Sequence, residues 1–224
     1  MQDHDSVPLS DWEELPPEQM LAEARAFFGR MSTRHSIRQF SDRPIPREVI
    51  EQAILTAGRA PSGANHQPWF FSAIGSPDKK KTLRELAEKE ERAFYEGRAS
   101  EEWLDALADL GTDAHKPYLE TAPWVIAVFG QRKGGIDDDG ATQNYYVPES
   151  VGIAMGFLIA ALHNAGCAML THTPKPMSFL NDLCGRPKSE KPYLLLVVGY
   201  PAEGATVPTH ALKKKPLDRI ANFI

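Results

Sequence analysis

Cysteine is nearly absent. Among 224 residues only Cys167 and Cys184 occur, in no C-x-x-C pair and beside no histidine ligand pattern. Neither a disulfide framework nor a cysteine metal site is expected. Both thiols read as small buried apolar residues, and a reducing, intracellular setting is the default. The chain also lacks G-x-G-x-x-G and the phosphate-binding P-loop pattern, so a Rossmann dinucleotide site or an NTPase site is not expected. It has no H-E-x-x-H and no G-x-S-x-G, which removes support for zinc hydrolysis and serine-hydrolase chemistry. A net charge of −5 lacks the basic excess that a general nucleic-acid binder needs. There is no unbroken apolar run of the roughly 20 residues that a membrane span needs. The most apolar segment, Val151–Leu170, carries His163 and Asn164 and reads as a core helix. The first fifteen residues are polar and acidic, so no secretory leader is expected. Together these absences predict a cytoplasmic protein with no metal, no nucleic-acid partner and no membrane. With no repeat, low-complexity tract or linker, residues 1–224 read as one domain.

What is present alternates between helix and strand. Pro16–Pro17 opens a helix whose Met20, Leu21, Ala24, Phe27, Phe28 and Met31 share a face. A second helix follows Ile45–Pro46 and stops at Gly58. The loop Ala60–Pro68, APSGANHQP, is built of small residues and prolines that allow close backbone approach to a ligand. Trp69–Ile74 reads as a strand. Pro77 to about Tyr95 and Glu101 to about Leu110 read as charged helices, and Pro123–Phe129 as a strand. Pro148–Ala165 follows as a helix apolar nearly all round, and therefore central. Ala168–Thr173 and Tyr193–Gly199 are strands flanking a short helix at Phe179–Cys184, and the tail from Ala205 has no clear pattern. Strands separated by helices predict an α+β or α/β sandwich.

Three stretches carry chemistry. In Arg34-His35-Ser36-Ile37-Arg38-Gln39-Phe40, two arginines and a serine can converge on a phosphate, which suits the guanidinium fork; the same stretch could be a solvated basic turn. Lys213–Lys215 could add cationic charge or be ordinary surface. The acid-rich stretch Glu85–Glu120 has few apolar anchors, and reads either as an exposed helical pair or as a mobile lid.

Taken in order, R-H-S-I-R-Q-F and A-P-S-G-A-N-H-Q-P-W resemble the opening of the nitroreductase superfamily. E-E-R-A-F-Y at 90–95, H-K-P-Y-L-E-T-A-P at 115–123, T-H-T-P at 171–174 and A-T-V-P…L-K-K-K-P-L-D at 205–218 resemble its iodotyrosine deiodinase branch. The resemblance runs from about Leu15 to the last residue.

The resemblance implies a three-layer α/β sandwich in an intertwined homodimer, with FMN at the subunit interface and a C-terminal extension over about 205–224. It implies that Arg34, His35, Ser36 and Arg38 hold the FMN phosphate and part of the flavin. Lys214 would add a cation where the deiodinases have arginine, keeping the charge but not the fork. Pro61, Ser62 and Gly63 would pack on the flavin from the other subunit, while Thr171, His172 and Thr173 line its redox edge. A lid at about 85–120 would bring Glu91, Tyr95 and Lys116 to the amino-acid end of the substrate. That makes chemical sense, because a zwitterion needs a carboxylate for its ammonium and a cation and hydroxyl for its carboxylate. The Ala64 N–H would receive the phenolate, and the Thr173 hydroxyl near flavin N5 would support one-electron steps as the catalytic group. The implied reaction is reductive dehalogenation of halotyrosines, with electrons from NAD(P)H directly or through a reductase. The rivals are a broad FMN nitroreductase or quinone reductase and a non-enzymatic flavin-binding halotyrosine sensor. Two departures from the branch pattern stand out: His172 where threonine is expected, and Asn65-His66-Gln67, which is closer to the general nitroreductase pattern.

Overall fold

A computed structural model of the protein describes residues 5–224, in two compact units divided between Arg34 and His35. The first unit is built on helix α1 (Pro17–Ser32), opened by proline and closed by Thr33, whose N–H bonds to the carbonyls of Arg30 and Met31. No residue of α1 is buried, and Met20, Leu21, Phe27 and Phe28 are all at least half exposed. The apolar face expected from the sequence therefore exists, uncovered.

The second unit is organised by a four-stranded antiparallel sheet of order β1-β2-β4-β3, formed by β1 (Trp69–Ile74), β2 (Trp124–Gln131), β3 (Ala168–His172) and β4 (Glu190–Gly199). Alternating side chains of each strand point to opposite faces. In β2, Val125, Ala127 and Phe129 join one core, while Ile126 and Val128 join the other. In β4, Leu195 and Val197 divide from Leu196 and Val198 in the same way. Both central strands are apolar on both faces, so both faces must be covered. Helices α2 (Arg47–Ala57) and α6 (Val147–Asn164) cover one face. Helices α3 (Pro77–Ala93), α5 (Tyr118–Thr121) and α7 (Phe179–Cys184) cover the other. The result is the three-layer sandwich.

Several boundaries differ from expectation. The α-helical part of the 77–95 segment ends at Ala93 and passes into a π turn over Phe94–Arg98, ahead of α4 (Glu101–Ala108). Strand β4 starts at Glu190, three residues before the apolar run. A 3₁₀ turn occupies Gly63–Asn65, and two more lie in the tail at Thr209–Leu212 and Leu217–Arg219. Both cysteines are free; Cys167 is buried and Cys184 half-buried.

Helix α6 is not central, as its composition suggested, but a covering helix. Among the described residues it is the one helix long and apolar enough to cross a membrane, yet it packs on the sheet through Val151, Ala154, Met155, Leu158 and Leu162. Its opposite side is open, with Ile153 43% and Phe157 40% exposed. The uniform apolarity thus reflects two separate faces, only one of which is covered within this chain.

Candidate active site

The segment after Arg34 is sewn to the edge of the sheet. Ser36 forms a parallel bridge with Met169, and the Ile37 N–H bonds to the Met169 carbonyl at 3.2 Å. Phe40 bridges Pro201, and the Ser41 N–H reaches the Tyr200 carbonyl at 2.9 Å. Ile37 and Phe40 are buried and act as anchors, which sets Arg38 beside the end of β3. Arg38 is half-buried, and among the described residues it has no carboxylate within ion-pair distance. It lines two cavities of about 220 and 400 Å³.

The smaller cavity gathers Arg38, Glu91, Tyr95, Lys116, Thr171, His172 and Thr173. Its apolar lining comes from Phe94, Trp103 and Leu107, with Leu170 of β3; Phe94 packs edge-on to both Tyr95 and Trp103. Glu91 lies in the last turn of α3, whose Leu83 and Ala87 are fully buried in the core. Lys116 arrives from the loop before α5, and α5 is anchored by the buried Tyr118 and Leu119. Glu88 clamps the two elements: it pairs with Arg84 at 2.8 Å and accepts the Lys116 N–H at 2.8 Å. The 85–120 stretch is thus tied down at both ends, through Ala87 and through Tyr118–Leu119.

Lys116 is 2% exposed; its Nζ lies 3.3 Å from Glu91 Oε2 and donates to Thr112 Oγ1 at 2.9 Å. Burial pushes the Glu91 carboxyl above its ordinary range, and Lys116 pulls it back. Burial also raises the phenols of Tyr118 and Tyr95, with the Glu91 charge adding to both.

His172 follows from strand parity. Leu170 belongs to the core under α3 and α5, so His172, two residues on, turns the same way. Its ring packs edge-on to Tyr118 at 5.8 Å. Its Nε2 is buried without a hydrogen-bond partner, 3.8 Å from Glu91 Oε1. Burial, with Lys116 and Arg38 nearby, pushes its pKa down to about 3. The ring is therefore neutral, and the 3.8 Å contact is not an ion pair. An orphaned buried polar atom costs about 1–3 kcal/mol.

The buried ring has a consequence for stability. Between pH of about 3 and 6.5 the unfolded chain takes up a proton that the folded ring refuses, so stability falls as pH drops through that window. His172→Gln removes this acid-linked loss. Urea midpoints measured at pH 7 and pH 4.5 should therefore drop less on acidification in the variant than in the parent. Equal drops would show that His172 does not set the acid response.

Other sequence-predicted residues lie elsewhere. Pro61, Ser62, Gly63 and Ala64 line neither cavity. Their loop is backed instead by the first turn of α6 and the segment preceding it. The Gly63 N–H reaches Ser150 Oγ at 3.3 Å, and His66 Nδ1 lies 3.0 Å from Asn144 Oδ1. A Cβ on Gly63 would meet the Tyr145 carbonyl oxygen at 2.7 Å, so only glycine fits. Ala64, Asn65 and Gln67 all have positive φ, between 49° and 55°. Such strain persists where surrounding structure over-determines it and clusters at functional sites. Lys214 is exposed, with its Nζ on the Ala211 carbonyl at 2.5 Å. His35 is half-buried, and Arg34 closes the first unit with its N–H on the Met31 carbonyl.

Sequence reasoning missed Thr112, Tyr118 and the aromatic wall. A signal existed for the wall: Trp103 and Leu107, four apart, share a face of a helix whose charged residues are all acidic.

This arrangement, a sandwich with a strained small-residue loop and a charged, half-enclosed cavity at a sheet edge, is that of the nitroreductase family: the family model matches residues 31–200, and the chain belongs to that family. Within it the chain is similar to the iodotyrosine deiodinase of Haliscomenobacter hydrossis, at 50% identity covering 90% of this chain and 91% of the relative. It is 41% identical to iodotyrosine deiodinase 1 of Homo sapiens, covering 96% of this chain and 73% of the human protein. A crystal structure of oxidized iodotyrosine deiodinase bound to FMN and 3-iodo-L-tyrosine superposes with a TM-score of 0.73 at 27% identity, covering 88% of this chain and all of the other.

Proposed function

We propose that this protein is an FMN-dependent oxidoreductase that reductively dehalogenates halotyrosines, releasing halide and tyrosine. The observation that carries the reading is the enclosed Glu91–Lys116 pair in the same cavity as Arg38 and Thr173. Opposite charges at that spacing suit the ammonium and carboxylate of an amino acid. The apolar wall of Phe94, Trp103 and Leu107 suits an aromatic ring.

FMN, when bound, supplies two electrons. With one proton they replace the carbon–halogen bond by carbon–hydrogen, and halide leaves. The residues fit that cofactor. Arg38 is a half-buried cation with no carboxylate partner among the described residues, and it lines the same cavity as Thr173, whose hydroxyl likewise has no hydrogen-bond partner among them. Arg38, with Arg34, His35, Ser36 and Lys214, would hold the phosphate and part of the flavin, and Thr171 and Thr173 its redox edge, while the His172 ring between them is buried against Tyr118 and Glu91. Glu91 would receive the ammonium, and Lys116 and Tyr95 the carboxylate. Burial of this cluster removes competing water, which strengthens each charged contact. The Pro61–Ala64 loop, away from the cavity in its own chain, would complete the site from a second copy in a homodimer. The uncovered faces of α1 and α6 and the exposed Leu217, Ile220 and Phe223 of the tail favour such a dimer. Electrons would come from NAD(P)H, directly or through a reductase.

Iodide release from diiodotyrosine by the dithionite-reduced, anaerobic protein tests the reaction. Turnover of a nitroaromatic with no iodide released would move the broad nitroreductase reading ahead. Tight binding of iodotyrosine without turnover would indicate a sensor. Thr173→Ala sharpens the test. A lost hydrogen bond of about 1 kcal/mol corresponds to about a fivefold loss in rate. Deiodination should fall by that order while nitroaromatic reduction is spared. An unchanged ratio of the two activities, with FMN fully bound, would remove Thr173 from the mechanism.

A further inference from the structure

His172 turns its ring to the same side of the sheet as Leu170, toward α3 and α5, and is 8% exposed. Its Nε2 is sealed from solvent and has no partner. The carboxylate oxygen it faces is Glu91 Oε1, 3.8 Å away, while Glu91 Oε2 is held by Lys116 at 3.3 Å. Burial, with the positive charges of Lys116 and Arg38, keeps the ring neutral, so one of its two nitrogens carries a hydrogen and can donate. The flanking phenols, Tyr95 and Tyr118, remain protonated.

We propose that His172 is the positioning residue of the ammonium site: its Nε2–H steers the Glu91 carboxylate that receives the amino group of the substrate. This rests on the reading that Glu91 takes the ammonium. A carboxylate offers about four lone-pair sites. Lys116 occupies one on Oε2, and an arriving ammonium takes another. A shift of Oε1 by about 1 Å brings it within hydrogen-bond range of Nε2. The buried nitrogen then gains the partner that it lacks, and the carboxylate is fixed while its remaining sites face the ligand. Substrate binding and satisfaction of His172 are thus coupled. His172 is where this chain departs from the threonine expected by resemblance, and the geometry gives the departure a role in reading the amino-acid end.

The test uses the FMN-loaded protein and two ligands, 3-iodotyrosine and 2-iodophenol, which lacks the zwitterion. His172→Phe keeps the ring volume and removes the N–H. It is expected to weaken iodotyrosine binding about tenfold, equivalent to about 1.4 kcal/mol, and to leave 2-iodophenol nearly unchanged. His172→Gln, whose amide N–H has similar reach, should restore most of the loss. Glu91→Gln separates the two levels. If it weakens both ligands equally, the underlying reading of Glu91 fails. If it discriminates between them and His172→Phe does not, the positioning role alone is overturned. Should His172→Phe fail to retain FMN, nitrogen and proton NMR of the unsubstituted holoprotein decides. Iodotyrosine should move the His172 Nε2–H resonance downfield and slow its exchange with water; an unmoved resonance overturns the proposal.

Discussion

Lys116→Met is expected to weaken binding of 3-iodotyrosine by about 100-fold or more, with 2-iodophenol changing by less than about threefold. Removing one partner of a buried, hydrogen-bonded charge pair costs about 2–5 kcal/mol, and about 2.7 kcal/mol is already 100-fold. Lys116 meets that description: it is 2% exposed, ion-paired to Glu91 and bonded to Thr112. Methionine keeps the apolar stem and loses the ammonium, with both its charge and its hydrogen bond to Thr112. The loss then spreads. Burial already raises the Glu91 carboxyl, and Lys116 is the first influence opposing it. Without that cation Glu91 shifts further toward the neutral acid, which holds an ammonium poorly. One substitution therefore removes the cation for the substrate carboxylate and blunts the anion for its ammonium. Glu91→Gln should cost iodotyrosine less, because it leaves the Lys116 side chain in place for the substrate carboxylate. Quenching of flavin fluorescence by each ligand gives the dissociation constants. Equal losses for both ligands would mean that the pair serves folding or flavin binding.

Much of the architecture was legible in residue order because local and tertiary demands agree. Prolines open α1, α3 and α6 where the sequence placed them, and Gly166, with φ of 82°, follows α6 where its stop was read. Where the reading failed, a tertiary contact outweighed local composition. Glu190 looks like loop, yet it begins β4 because Arg186 and Gln131 satisfy its carboxylate in a nearly buried position. Helix α5 is a single turn, too short to show periodicity, and is fixed by Tyr118 and Leu119 in the core. The site was legible in the same uneven way. Glu91 and Tyr95 come together through helical spacing, and Arg38 through the anchors on either side of it. That the His172 ring meets Glu91 needs both the parity of β3 and the docking of α3 above it, and the second is not written in either segment alone. The strained run at 64–67 is likewise invisible as strain, since its letters read only as a turn.

Arg38→Ala is expected to weaken FMN binding by about 10- to 100-fold, whereas Lys214→Ala should cost no more than about threefold. The ranking follows from what surrounds each cation. Arg38 is half-buried, its backbone is fixed between the buried Ile37 and Phe40, and it lines both cavities without a carboxylate partner among the described residues. Such a guanidinium is preorganised for an anion, and its planar fork can form two charge-assisted bonds to one phosphate. Each hydrogen bond to a charged group is worth roughly 1.5–3 kcal/mol, so losing even one reaches the lower bound. Lys214 is exposed on a flexible stem and already spends a donor on the Ala211 carbonyl. Water competes for it in any complex, and exposed ion pairs contribute only about 0–1 kcal/mol. Arg38→Lys separates charge from geometry: it should fall between the parent and Arg38→Ala if the fork matters, and match the parent if charge alone does. FMN titration of the apoprotein variants, followed by flavin fluorescence at fixed salt, measures all three. Equal losses for Arg38→Ala and Lys214→Ala, or a larger loss for Lys214→Ala, would place the phosphate at the tail and leave Arg38 to the substrate.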